Sequence, residues 1–79
     1  MPADDAATTR MAQREISRRY VDSTRLDVKA MHGVVYLRGQ IRALRGHDVN
    51  LEHELDVIQR VLRGKPGIRE VIADVDIIG

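Results

Sequence analysis

Three consecutive stretches of this chain switch hydrophobic period from two to 3.6 and back to two. From Val34 to Ile41, Val35, Leu37 and Ile41 fall on one side, with Val34, Tyr36 and Arg38 on the other. Next, Leu51, Leu55, Ile58 and Leu62 form a single stripe flanked by Val61, opposite Glu52, Asp56, Gln59 and Arg63. From Ile68 to Ile78, Val71, Ala73, Val75 and Ile77 alternate with Glu70, Asp74 and Asp76. Side chains repeat every two residues in a strand and every 3.6 in a helix, so this reads as strand, helix, strand.

The remaining segments fit the same scheme. Leu26, Val28 and Ala30 alternate with Arg25, Asp27 and Lys29, which predicts another half-buried strand. His32-Gly33 supplies a hairpin turn, because glycine tolerates positive φ. Upstream, Ala6 to Tyr20 contains no Gly or Pro, and Ala12, Ile16 and Tyr20 recur at i, i+4, i+8, which predicts a helix. Arg10, Arg14 and Arg18 lie on its outer side, and Glu15 with Arg19 makes an i, i+4 pair. Val21 to Thr24 is a connector, Ala43 to Asp48 a basic loop, and Asp48 or Asn50 a cap for the second helix.

The expectation is therefore an α+β domain of order α-β-β-α-β over residues 6–79, after a loose terminus at 1–5. Each helix has one apolar face, so both helices should cover one side of a three-stranded sheet. A right-handed crossover would place the first strand between the second and the third.

Composition narrows the classes of function. A chain of 79 residues is one small domain, and only two tyrosines supply aromatic bulk, so self-association or attachment to a larger polypeptide is expected. Thirteen basic residues stand against 12 acidic ones, so no overall field draws it to nucleic acid or anionic lipid. Eleven of the basic residues are arginines, suited to bidentate carboxylate or phosphate contacts. There is no cysteine, which removes disulfides and thiolate chemistry. No apolar run approaches the ~20 residues of a membrane span, and the acidic opening MPADDAATTR lacks the hydrophobic core of a secretory signal. A cytoplasmic protein is expected if the chain is complete, an envelope-associated one if it is a mature or excised domain.

Gly64-Lys65-Pro66-Gly67 is a literal GxxG, the loop with which K-homology domains clamp a nucleic-acid backbone. In that setting the loop joins two helices. Here it follows a helix and precedes a strand, so Gly64 is expected to be a left-handed cap, Pro66 a stop and Gly67 a turn. That weighs against nucleic acid.

The pattern LDVKAMHGVVYLRGQI, a helix, then KPGIREVIADVDI resembles the BON domain family of bacterial envelope and osmotic-stress proteins. Gly33, Val34, Leu37 and Gly39 match that family's hairpin, and Pro66, Gly67, Ile68 and Val71 its last strand, with the resemblance spanning Ala12 to Ile77. The segment between Gly39 and Gly67 is several residues longer than usual. The resemblance implies a non-enzymatic module without cofactors that attaches to phospholipid surfaces or to envelope proteins. Ring-building domains of secretion systems use similar αββαβ units, which makes a homo-oligomerising domain the alternative.

Two surfaces are candidate sites. Arg18, Arg19, Arg25, Arg42 and Arg45, with Arg38 nearby, should converge at one pole and meet phosphate, of a lipid headgroup or, as a third and lesser alternative, of a nucleic-acid backbone, since each basic side chain near an anionic surface contributes ~1 kcal/mol. Against this, Asp22, Asp27 and Asp48 would neutralise the pole. Met31, Val34, Tyr36 and Ile72 should share the uncovered sheet face as a protein contact. A second basic group, Arg60, Arg63, Lys65 and Arg69, reads as structural. Gly33, Gly39, Gly64, Pro66 and Gly67 are read as turns. Neither metal-ligand spacing among His32, His47 and His53 nor a base positioned beside Ser17 or Ser23 is present.

Overall fold

The computed structural model describes residues 5–78, in the order helix, short strand, two longer strands, helix, strand. Helix α1 is Asp5–Ser17. Asp5 thus belongs to the helix rather than to the expected loose terminus, whose residues 1–4 lie outside those described. The helix also stops before Tyr20. The Ser17 hydroxyl donates to the Arg14 carbonyl at 2.8 Å, and the Arg19 amide turns back to the Ile16 carbonyl at 3.0 Å. Such tightened bonds end a helix. Tyr20 consequently leaves the apolar stripe and is exposed.

The expected connector contains strand β1, Val21–Asp22. It is followed by β2, Leu26–Met31, and β3, Val34–Ala43. Both β1 and β2 run antiparallel along one edge of β3, Val21 opposite Ala43 and Leu26 to Met31 opposite Gly39 to Val34. His32 and Gly33 have φ of 52° and 82°, the two left-handed residues of a type I′ hairpin turn. Gly39 was expected in a turn but lies inside β3, with φ of 121°. It stands where β2 begins: the Gln40 amide reaches the Arg25 carbonyl at 3.1 Å, and a Cβ on Gly39 would run into that oxygen.

Helix α2, Leu51–Arg63, starts at Asn50, whose side chain accepts from the His53 amide at 3.1 Å. Gly64 has φ of −82°, so it is not the left-handed cap expected. The reversal comes later: the Ile68 amide bonds the Lys65 carbonyl at 3.2 Å across Pro66 and Gly67, and Gly67 has φ of 87°. Proline then glycine at the two central positions is the pattern of a type II turn.

Strand β4, Glu70–Ile78, pairs in parallel with the free edge of β3, from Val34 opposite Glu70 to Arg42 opposite Ile78. The sheet is therefore four-stranded and mixed, with β3 central, not three-stranded with the first long strand in the middle. The reason lies on β2. Its Ala30 amide donates to the Thr9 hydroxyl at 2.9 Å and the His32 amide just past its end to the Asp5 carboxylate at 3.1 Å, both from α1. With that edge taken by helix side chains, the returning strand joins β3 instead.

Both helices cover one face. Ala12 and Ile16 of α1 and Ile58 and Leu62 of α2 pack over Val28, Ala30, Val35, Leu37 and Val71. Leu37 and Leu62 have no exposed surface, and each such side chain contributes roughly 1.5–3 kcal/mol by leaving water. Leu51 and Leu55, expected in the core stripe, are only half-buried, while Glu54 is buried. A 13-residue helix is about 20 Å long, whereas the ten residues of β3 extend about 33 Å. The sheet outruns its cover: along the inner side of β4, Val71 is buried, Ala73 and Val75 are half-buried, and Ile77 is exposed.

Candidate protein-docking face

Paired residues on adjacent strands share a face, so the register assembles the uncovered side row by row. Across β2, β3 and β4 the rows are Met31, Val34, Glu70; then Lys29, Tyr36, Ile72; then Asp27, Arg38, Asp74. Further along, Gln40 stands beside Asp76, and Arg42 between Asp22 and Ile78. Among the described residues no helix lies over these rows, since the packed cluster draws on the opposite set of side chains.

The four residues expected to form a protein contact fall in the first two rows and are contiguous. Met31 and Ile72 are exposed and Tyr36 half-exposed, while Val34 is buried in the middle of its row. The third row is charged. Arg38 stands between Asp27 and Asp74 yet makes no ion pair within 4 Å among the described residues, so one positive and two negative groups face solvent. Around it lies an open trough of about 590 Å³ lined by Arg25, Asp27, Arg38, Gln40, Asp74 and Asp76.

The six arginines expected at one pole are divided by the fold. Arg18 pairs with Glu15 at 3.0 Å. Arg19 does not use Glu15; its Nε and Nη2 donate to Glu54 Oε2 at 2.9 and 2.6 Å. Arg42 pairs with Asp22 at 3.0 Å across β1 and β3. Arg38 belongs to the middle of the bare face. That leaves Arg25 and Arg45, among the described residues, without an ion pair at this end of the sheet. The loop carrying Arg45 is brought beside α1 by the stacked rings of Tyr20 and His47, 5.2 Å apart. Asp22 accepts from the Thr24 hydroxyl, the Thr24 amide and Arg42, and these, in that order, hold its carboxyl down at about 2. Asp22, one of the three acids expected to neutralise this pole, is thus ionised and engaged.

The second basic group is tied into structure at three positions. Arg60 pairs with Asp56 at 3.0 Å, Lys65 with Glu15 at 3.2 Å, and Arg69 donates to the His32 carbonyl at 3.2 Å.

Sequence reasoning missed Glu54. Its signal was present: Glu54, Ile58 and Leu62 stand at i, i+4, i+8, so an acid on the buried spacing called for a cationic partner. The histidines occupy three separate places, the hairpin turn, the Tyr20 stack and the first turn of α2. Among the described residues no group of three His, Asp or Glu could hold a metal ion, and no helix is long and apolar enough to cross a membrane. Neither a protein-family model nor a curated protein matches the sequence.

Proposed function

We propose that the chain is a non-enzymatic protein-interaction module that self-docks through the bare face of its sheet. The observation that carries this is the contiguity of Met31, Val34, Tyr36 and Ile72 on a face no helix covers. A second copy fits because the adjoining row carries both signs: Asp27 and Asp74 flank Arg38, which is unpaired among the described residues, so a two-fold-related face can set each Arg38 against an aspartate of the other copy. The BON-like resemblance, carried by Gly33, Val34, Leu37 and Gly39 and by Pro66, Gly67, Ile68 and Val71, implies the same accessory, non-catalytic role.

The test is light scattering from 1 µM to about 1 mM. A defined dimer that dissociates in the Met31→Glu/Tyr36→Glu variant is expected. A strictly monomeric wild-type chain over that range refutes self-docking.

A second reading, attachment to an anionic phospholipid surface, is favoured by Arg25 and Arg45 lying at the end of the molecule that also exposes Tyr20, Leu44 and Ile78. Salt-sensitive pelleting with phosphatidylglycerol vesicles, lost in Arg25→Glu/Arg45→Glu, would support it.

A further inference from the structure

The two edges of the sheet are treated differently. On β2, the Leu26 amide bonds the Ser23 carbonyl at 3.0 Å, Thr9 takes the Ala30 amide, and Asp5 takes the His32 amide. Three donors at one edge are thereby occupied, the usual protection against unwanted strand pairing. Strand β4 has no such cover. It pairs only with β3, and among the described residues no side chain bonds to its backbone. Along its nine residues, the N–H and C=O groups of alternate residues face outward on its free side.

The side chains of β4 state what fits there. On the bare face it presents Glu70, Ile72, Asp74, Asp76 and Ile78, and none of the three acids is ion-paired among the described residues. On the other face Val75 and Ile77 remain partly uncovered where the sheet outruns the helices. A second β4 is a poor occupant. An antiparallel two-fold pairing sets same-face residues together, bringing the three acids of each copy onto one face, and like charges placed opposite are destabilising. The β2 edge of another copy is closed by its own α1.

We infer that β4 receives an extended segment of a different protein by strand addition. The segment carries Lys or Arg at alternate positions facing Asp74 and Asp76, and apolar residues between them over Val75 and Ile77. Backbone ladder bonds supply affinity, and the alternating side chains supply selection. The same carboxylates that keep two copies from pairing edge to edge admit a cationic strand. This contact uses the backbone edge of β4, whereas the self-docking proposed above uses the sheet face, and Asp74 borders both.

The probe is an eight-residue peptide of alternating Lys and Val, titrated into the whole chain and into the Met31→Glu/Tyr36→Glu variant, which alters only the face. Binding to the variant at least as tight as to the wild type is expected, since the variant only adds acids to the face, with slowed amide exchange in β4 and none in β2. Asp74→Lys/Asp76→Lys should weaken the Lys–Val peptide about tenfold or more and admit the matching Glu–Val peptide. N-methylation of alternate peptide amides should abolish binding. Absence of binding, binding that leaves the β4 amides unprotected, or binding indifferent to N-methylation would each overturn the proposal. Loss of peptide binding only in the face variant would place the peptide on the face and overturn it as well.

Discussion

Replacing Arg19 by alanine should reveal how the two helices are fastened. The guanidinium donates twice to Glu54 Oε2, at 2.9 and 2.6 Å, and joins the end of α1 to the first turns of α2. Glu54 is only 5% exposed, so removal of Arg19 leaves a carboxylate under the helix pair with no counter-charge. Breaking a fully buried pair costs about 3–5 kcal/mol, and breaking an exposed one about 0–1. The Arg19 side chain is 34% exposed, so water enters the vacated site and the expected cost falls between, about 2 kcal/mol. A chain of this length has a total stability of roughly 4–12 kcal/mol, so the loss is a substantial fraction. It corresponds to a Tm lower by about 8–16 °C. Urea unfolding at pH 7 should show a lower midpoint with unchanged slope. The Arg19→Met/Glu54→Met double variant should recover to within about 1 kcal/mol of wild type, because no charge is left buried. A cost below about 0.5 kcal/mol for Arg19→Ala, or a double variant as damaged as the two single ones summed, would refute the assignment of a buried, coupled pair.

Gly39→Ala should cost about 3 kcal/mol or more, because a φ of 121° is strained for alanine and its methyl meets the Arg25 carbonyl; thermal unfolding measures it, and a loss under about 1 kcal/mol would show that β3 relaxes there. Asp22 titrates at about 2 when folded against 3.8 ordinarily, so the unfolded chain binds more protons between those values. Stability should therefore fall as pH drops from about 4 to 2, and Asp22→Asn should flatten that acid limb in urea midpoints taken at pH 5, 3 and 2. An unchanged limb would mean that Thr24 and Arg42 do not hold the carboxylate in solution.

Much of the local structure was legible in the residue order. The period-two segments became β2, β3 and β4, the amphipathic stripe became α2, and His32-Gly33 and Pro66-Gly67 became turns. These features depend on neighbours within about four residues, for which side-chain period and backbone freedom are sufficient guides. The uncovered patch was legible too, because alternation assigns Tyr36 and Ile72 to a face once they are known to be in strands.

What tertiary structure alone decided were choices among distant partners. Periodicity leaves open whether the last strand joins β2 or β3. Thr9 and Asp5 decide it by closing the β2 edge from 21 and 27 residues away in sequence. The arginine cluster dissolved for the same reason. Arg19 found Glu54 35 residues on and Arg42 found Asp22 20 residues back, pairings that depend on how helices and strands stack in space. Gly39 carries the same lesson in the backbone. Its glycine is required by a carbonyl from another strand, and no local pattern reports that approach.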